Sequence, residues 1–199
     1  MQRYDYLKTI AGDTGDALVV AAGWAAREWQ ALRPGDGNFR PRTLGLASSI
    51  SLGIALGLPE RKVIAIDGDG AFLMNLCGLP TIAWQSPANL IHLLFDNQVY
   101  EASGASATAT VSGADAVALA KGAGYKHAAW AKSPDDFHGE FLAAMKRGAL
   151  SFIAAKVEPG QPKLPPILSD ELENKYRFIR HIEATSKKSI LGPSDHRPK

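Results

Sequence analysis

Residues 63–71 read VIAIDGDGA, an apolar run that ends in two glycines on either side of an aspartate. The run 63–66 is typical of a strand covered on both faces, because it carries no polar side chain. Just past it, Gly68 and Gly70 leave room for backbone N–H groups to approach a phosphate, and Asp69 offers a ligand for a hard cation. A plain tight turn has the same composition, so this stretch alone leaves both interpretations open.

A second apolar run, residues 90–95 (LIHLLF), continues into Asp96-Asn97 and favours the cation site. Asn97 follows Asp69 by 28 positions, which is room for one crossover helix and a returning parallel strand. Both side chains would then lie at the carboxyl ends of parallel strands, where open α/β sheets bind ligands. Carboxylate and amide oxygens are ligands that Mg²⁺ takes, together with phosphate oxygens and water. The two runs therefore predict a magnesium–phosphate site.

The pair of motifs resembles the cofactor motif of thiamine diphosphate enzymes, in which GDG is followed by two asparagines after about 25–30 residues. Gly68, Asp69 and Gly70 match the first half, and Asn97 matches the second asparagine. Asp96 stands where many members have the first asparagine. The paired motif is far more specific than either half.

This resemblance implies a set of residues that contacts thiamine diphosphate and Mg²⁺. The implied metal ligands are Asp69, Asn97 and the backbone carbonyl of Val99. The implied cofactor-binding residues also include Gly68, Gly70, Ala71 and Tyr100, with the N–H groups of Gly70 and Ala71 on the diphosphate.

A second stretch, residues 43–49 (TLGLASS), resembles the GSMGLASS segment of thiamine diphosphate decarboxylases. By that match Leu44 props the cofactor in the bent shape that its chemistry needs, and we count it as a catalytic residue. Arg42 and Thr43 join the cofactor-binding set, with the Arg42 carbonyl accepting from the aminopyrimidine, although Arg42 replaces a family glycine. Without the GDG motif, Leu44 would be interpreted as a core residue and Ser48 and Ser49 as helix caps.

The residues after the metal loop are candidates for a substrate pocket: Glu101, Ala102 and Ser103. We assign Glu101 a catalytic part, against the alternative of a solvated loop charge. The stretch 103–108 lacks the Gly-Gly-Gln-Pro-Thr-like turn of phosphonopyruvate-type relatives, so the resemblance leaves the identity of the 2-oxoacid open.

Alternation of short β-branched runs with Ala- and Leu-rich runs predicts a doubly wound, mostly parallel sheet with helices on both faces. Further strands are predicted at 17–22, 126–131 and 152–157, and helices at 24–32, 46–57, 113–123 and 134–147. Pro80 predicts an irregular or late-starting helix after the GDG motif, near Leu79. We divide the chain into a cofactor-binding domain over 1–159 and an appended region over 160–199 that packs on it. That region comprises a Pro-rich linker, an amphipathic helix over 170–182 and a polar tail.

Composition narrows the classes of protein further. The 199 residues are 46% hydrophobic and carry a net charge of +2, which suits one globular domain and gives no basic field for nucleic acid. Cys77 is the one cysteine, which excludes an internal disulfide framework or iron–sulfur cluster, and we expect it to be a small buried residue. With no apolar leader or membrane span in the sequence, we expect a soluble cytoplasmic protein.

The resemblance implies an enzyme made of two kinds of subunit. The 199 residues are enough only for the family's diphosphate-binding domain. By the resemblance, a separate pyrimidine-binding subunit would supply the catalytic glutamate, in a heterotetramer or larger assembly. The subfamily that this sequence resembles catalyses the decarboxylation of sulfopyruvate or phosphonopyruvate. Open alternatives are an acetolactate synthase-like carboligase, a ferredoxin-linked 2-oxoacid oxidoreductase, which the single cysteine disfavours, and a cofactor-holding regulatory subunit. A flavodoxin-like nucleotide-binding domain is a weaker rival.

Overall fold

The computed structural model describes residues 1–167 and 170–190, so the predicted polar tail beyond 190 lies outside the described residues. The helices are α1 Arg3–Ile10, α2 Gly23–Leu32, α3 Ala47–Gly57, α4 Asp69–Met74, α5 Gly78–Gln85, α6 Ala116–Ala123, α7 Pro134–Arg147 and α8 Glu171–Ser186. The strands are β1 Leu18–Ala21, β2 Asn38–Phe39, β3 Val63–Gly68, β4 Leu90–Asp96, β5 Val99–Tyr100, β6 Ser106–Ala107, β7 His127–Ala131 and β8 Ser151–Lys156. None of the helices in this described part of the chain combines the length and the apolar content that a bilayer crossing needs.

Six strands form a parallel sheet in the order β2-β1-β3-β4-β8-β7. The chain leaves β1 toward one edge, forms β2, and returns to the other side of β1 with β3. This reversal lies between β1 and β3, and such a reversal is where α/β sheets open a ligand cleft. The register pairs Gly68 with Phe95, so Asp69, just after β3, and Asp96, the last residue of β4, lie side by side.

Helices cover both faces of the sheet, as the doubly wound prediction requires. On one face α1, α2 and α7 contribute Tyr6, Trp29 and Phe137 to an apolar core. On the other face α3 to α6 contribute a second core that includes Phe72 and Ile82. Because both faces are buried, the central strands are apolar at successive positions rather than at alternate ones.

Local capping explains the helix ends that the sequence predicts well. Ser133 Oγ accepts from the Asp136 N–H at 3.1 Å and Pro134 is the first helical residue, while Gly148 ends α7 with φ at 62°. Asp170 caps α8 in the same way. Phe178 on α8 packs in a small cluster with Leu18 and Leu58, so the appended helix rests on the sheet domain; the division at residue 159 stays a prediction.

The region after the GDG motif is irregular, as Pro80 predicts. Helix α4 ends at Met74, and α5 begins at Gly78 with Pro80 as its third residue. A proline in the first turn costs no helical hydrogen bond, because the N–H groups there have no partner within the helix. The prediction for Cys77 is wrong: it precedes α5 in the short connection and is exposed, because this break turns the connection toward solvent.

Helix α1 and the two-residue strands β2, β5 and β6 have no counterpart in the sequence predictions. Helix α1 packs Tyr6, Leu7 and Ile10 on the sheet, and its weak amphipathic pattern is masked by charged residues. Strand β2 has only two residues, which is too short to show a period in the sequence.

Replacing Asn89 by alanine tests how the connection before β4 is held. Its buried amide nitrogen donates to the carbonyls of Ala55, Leu58 and Arg61 at 3.0, 2.9 and 2.8 Å. We expect Asn89→Ala to lower the free energy of unfolding by about 1–3 kcal/mol, because buried acceptors lose their donor. Urea unfolding measures this loss. The exposed Gln85→Ala serves as control, and equal stability of the two variants would contradict the expectation.

Candidate active site

A cleft opens at the carboxyl ends of β1, β3 and β4, at the point where the strand order reverses. It is lined by residues of five segments: Arg3, Ala22, Gly23, Trp24, Ala25, Leu44, Gly68, Asp69, Gly70, Ala71, Asn97, Val99, Tyr100, Glu101, Ala102 and Ser103. The two halves of the sequence motif therefore meet at one place on the sheet edge.

The structure brings together most of the residues named from the sequence. Those that line the cleft are Leu44, Gly68, Asp69, Gly70, Ala71, Asn97, Val99, Tyr100, Glu101, Ala102 and Ser103. Arg42 and Thr43 are exposed and lie outside its lining. The contact assigned to the Arg42 carbonyl stays a prediction.

Asp69 is a buried carboxylate with only 1% of its surface exposed. Its Oδ2 accepts from the Thr108 hydroxyl at 2.5 Å, and the Thr110 hydroxyl lies 3.2 Å away. Burial raises the pKa of Asp69, the Thr108 hydrogen bond opposes this, and the charge of Asp96 adds to the increase. A carboxylate held in this way is stabilised by a cation.

Asn97 presents an amide oxygen to the same cleft. It is buried, and its Oδ1 accepts from the Val99 N–H at 3.1 Å, which orients the side chain over its own turn. Gln98 between them has φ at 63°, a left-handed conformation that a residue with a side chain adopts at a cost. The strained turn carries Asn97 and Val99 into the cleft beside Asp69.

Asp96 is a second buried carboxylate, paired with a lysine. Its side chain is 0% exposed, and its Oδ2 accepts from the ammonium of Lys156 at the end of β8. The Lys156 nitrogen also lies 5.1 Å from the Trp130 ring centroid. The Thr110 hydroxyl is 2.8 Å from Asp96 Oδ1. Because each hydroxyl has one proton, Thr108 serves Asp69 and Thr110 serves Asp96 at these distances.

Glu101 is fixed in place by two contacts. Its Oε1 accepts from the Gly160 N–H at 2.5 Å, and its Oε2 lies 3.4 Å from Arg3 Nη2. Arg3 in turn makes a two-point pair with Glu28 at 2.7 and 2.9 Å. Because Glu101 is only 10% exposed, the alternative of a solvated loop charge is wrong.

Several residues of the site were missed by sequence reasoning. Ligands bind at the carboxyl ends of parallel strands, and this rule, which indicated Asp69 after β3, also indicates the residues after β1. The sequence therefore carried a signal for Ala22, Gly23 and Trp24. Arg3 and Thr108 had no signal, because their partners lie 98 and 39 positions away along the chain.

Two glycines of the motif have different surroundings. A Cβ on Gly70 would lie 2.5 Å from Tyr100 Cδ1 and 2.6 Å from Cε1, so the tyrosine ring occupies the place of a side chain. A Cβ on Gly68 would meet nothing nearer than the Phe95 carbonyl at 3.9 Å. A Cβ on Gly23 would contact Leu44 at 3.5 Å, so Leu44 packs closely on the turn after β1.

Known proteins resemble this chain in sequence and in fold. Residues 21–155 match the family described as thiamine pyrophosphate enzyme, C-terminal TPP binding domain. The chain is 36% identical to the sulfopyruvate decarboxylase subunit beta of Methanothermobacter thermautotrophicus, over 94% of this chain and 98% of that protein. It is 34% identical to the phosphonopyruvate decarboxylase of Streptomyces hygroscopicus, over 75% of this chain and 39% of that protein.

A solved structure shares the fold. The benzoylformate decarboxylase of Polynucleobacter necessarius aligns with a TM-score of 0.67 and 19% identity, over 84% of this chain and 34% of that one. At this identity the likeness concerns the fold alone.

Alanine at Gly70 tests the contact with Tyr100. We expect Gly70→Ala to displace the ring and to lower the free energy of unfolding by about 1–3 kcal/mol, as overpacking does. Gly68→Ala, the matched control, is expected to leave stability unchanged because its Cβ would make only an ordinary contact, 3.9 Å from the Phe95 carbonyl. Thermal unfolding of both variants measures the difference. A stable Gly70→Ala variant would show that the ring moves aside freely.

The Asp96–Lys156 pair predicts unequal effects of its two partners. Lys156→Met strands a fully buried carboxylate and is expected to cost about 1–3 kcal/mol, less than for a wholly buried pair because Lys156 is half-exposed. Asp96→Asn costs little, since the freed ammonium can turn to water.

The double variant Asp96→Asn/Lys156→Met is expected to be as stable as Asp96→Asn alone. Urea unfolding of all three variants completes the double-mutant cycle. Strictly additive losses would mean that the two charges do not interact.

Proposed function

The chain belongs to the thiamine pyrophosphate enzymes, and we propose that it is the diphosphate- and Mg²⁺-binding subunit of a heteromeric 2-oxoacid decarboxylase. The observation that carries this proposal is the meeting of buried Asp69 with Asn97 in the cleft at the strand reversal. Similarity along nearly the whole length of a sulfopyruvate decarboxylase beta subunit supports the choice of reaction. A cytoplasmic location remains the prediction made from the sequence.

The residues present fit the cofactor and its metal. Asp69, Asn97 and the carbonyl of Val99 offer the oxygen donors that Mg²⁺ prefers. The buried Asp69 carboxylate receives hydroxyl hydrogen bonds but lies beside the second carboxylate of Asp96, so a divalent cation would compensate its charge. Gly70 and Ala71 line the cleft in the first turn of α4, and the resemblance assigns their N–H groups to the diphosphate.

Thiamine diphosphate, when bound, supplies a nucleophilic carbon and an electron sink for the loss of CO₂ from a 2-oxoacid. Leu44, packed near Gly23, provides an apolar wall against which the cofactor can hold its bent shape. Glu101 lines the same pocket with both oxygens engaged, by Arg3 and by the Gly160 N–H. We assign Glu101 the role of fixing this wall, because proton transfer would break those contacts.

We propose that the partner is a pyrimidine-binding subunit in a heterotetramer or larger assembly. This chain contributes one side of the cleft, from the sheet edge and the turns beyond it. One of its relatives is named as a subunit beta, and this name supports a partner subunit of a different sequence. The partner would supply the glutamate that activates the pyrimidine, as the resemblance implies.

Asparagine at Asp69 tests the proposal. The experiment uses the complex with the pyrimidine-binding subunit, in which Asp69→Asn removes a proposed metal ligand. We expect the affinity for thiamine diphosphate in the presence of Mg²⁺ to fall by more than about 100-fold. Loss of a residue that only supports a metal ligand costs up to about 100-fold in metal affinity, and loss of a ligand itself should cost more. Calorimetry measures the affinity, and CO₂ release from sulfopyruvate should be lost in parallel. The stability of the empty chain should hold or rise, because a buried carboxylate with a raised pKa becomes neutral.

Asp135→Asn, an exposed change on α7, serves as the control and should match the unmodified chain. Cofactor binding that survives Asp69→Asn would refute the assigned metal site. A complex that binds cofactor and releases CO₂ from none of the 2-oxoacids would refute the proposed reaction.

A further inference from the structure

A second cavity of about 510 Å³ lies beside the cofactor cleft. The two share four lining residues, Gly23, Trp24, Glu101 and Ala102, so they adjoin along this wall. The rest of the second cavity is lined by Arg27, Arg40, Pro166 and Ile167. Two arginines therefore stand next to the region where a bound substrate would extend away from the cofactor.

The guanidinium of Arg27 makes its direct contacts with neutral groups. Its guanidinium donates to the Leu164 carbonyl at 2.7 Å and to the Pro165 carbonyl at 3.3 Å. It also lies 5.4 Å from the Trp24 ring centroid. Within residues 1–167 and 170–190, Arg27 pairs with no carboxylate, in contrast to Arg3, Arg61, Arg147 and Arg177.

The carboxylate on this wall does not cancel the charge of Arg27. Glu101 uses one oxygen for the Gly160 N–H and directs the other toward Arg3. Aromatic and proline groups make up much of the remaining surface, and a half-buried guanidinium among them is poorly hydrated. Such a guanidinium binds carboxylate, sulfonate or phosphonate groups through two parallel hydrogen bonds.

We propose that Arg27, with Arg40 beside it, binds a second acidic group on C3 of the 2-oxoacid and so selects the substrate. This inference rests on the proposed decarboxylase function, which places the 2-oxo carbon in the adjoining cleft. A substrate of this kind, such as sulfopyruvate, would reach from that cleft into the arginine-lined cavity. A plain 2-oxoacid such as pyruvate would leave Arg27 without an anion.

A purely structural role for Arg27 predicts a different outcome. Its two bonds to the 160–167 segment could serve only to hold that segment against α2. In that case its loss would affect substrates with and without the second acid equally. The two roles are separated by comparing substrates, and by a binding measurement that needs no turnover.

The experiment uses the assembled enzyme of this chain and its pyrimidine-binding subunit, loaded with thiamine diphosphate and Mg²⁺. Arg27→Gln removes the charge and Arg27→Lys keeps it without the two-point geometry. Arg180→Gln removes an exposed arginine on α8 that lines none of the cavities described above, and serves as the control. Steady-state kinetics compare sulfopyruvate with pyruvate. Calorimetry measures binding of 3-sulfopropionate, which has both acidic groups but lacks the 2-oxo group that reacts.

We expect Arg27→Gln to lower kcat/KM for sulfopyruvate on the order of 10- to 100-fold, because a hydrogen bond between charged groups is lost. The loss should appear as a higher KM with little change in kcat. Binding of 3-sulfopropionate should weaken by a similar factor, while kcat/KM for pyruvate stays within about twofold. Arg27→Lys should lie between Arg27→Gln and the unmodified enzyme, and Arg180→Gln should match the latter. Thermal unfolding of each variant reports any general loss of structure.

Unchanged binding of 3-sulfopropionate by Arg27→Gln, or an equal loss for sulfopyruvate and pyruvate, would overturn the inference. Failure of the unmodified complex to release CO₂ from any 2-oxoacid would overturn the proposed function instead. The calorimetric comparison still decides the role of Arg27 in that case, because it requires no reaction.

Discussion

Two carboxylates buried side by side at the sheet edge are the constraint around which this site is built. Asp69 and Asp96 lie at the ends of neighbouring strands in matching register, so the parallel sheet itself brings them together. Like charges at this depth are unfavourable unless donors and cations surround them. Thr108, Thr110 and Lys156 meet that need within the chain, and Mg²⁺ would complete it at Asp69. The hydroxyl contacts lie on Oδ2 of Asp69, so Oδ1 is the oxygen that the proposed metal would take.

The sequence predicts the sheet well because its strands are buried on both faces. Continuous apolar runs identified β3 and β4, and the 28 positions between Asp69 and Asn97 predicted their parallel pairing. The resemblance to thiamine diphosphate enzymes added roles to positions that spacing alone placed at one edge. Element ends were predicted where a local cap exists, as at Ser133 before α7. Local signals were thus sufficient wherever the structure depends on neighbours in sequence.

The remainder depends on contacts between distant segments. Lys156 lies 60 positions from Asp96, and Arg3 lies 98 from Glu101, and no local pattern indicates either pair. Interpreting Glu101 as a solvated charge followed from residue type, and it failed because the N-terminal helix and the Gly160 turn cover that side chain. The expectation that Cys77 is buried also followed from residue type, and it failed because the thiol lies in the exposed connection between α4 and α5.

These contacts divide the site into two parts with different origins. The cleft with Asp69 and Asn97 is formed by strand termini and short turns of the central sheet, and sites built on such a scaffold are positioned precisely. The wall of the second cavity draws instead on Arg27 of α2, on Arg40 just past β2 and on the 160–167 segment, while Glu101 is held by Arg3 of α1. Segments added outside the central sheet can change in sequence without disturbing Asp69 and Asn97, the side chains proposed as metal ligands. A family that keeps one cofactor chemistry and varies its acids would place substrate recognition on this outer part, where the charge of Arg27 lies.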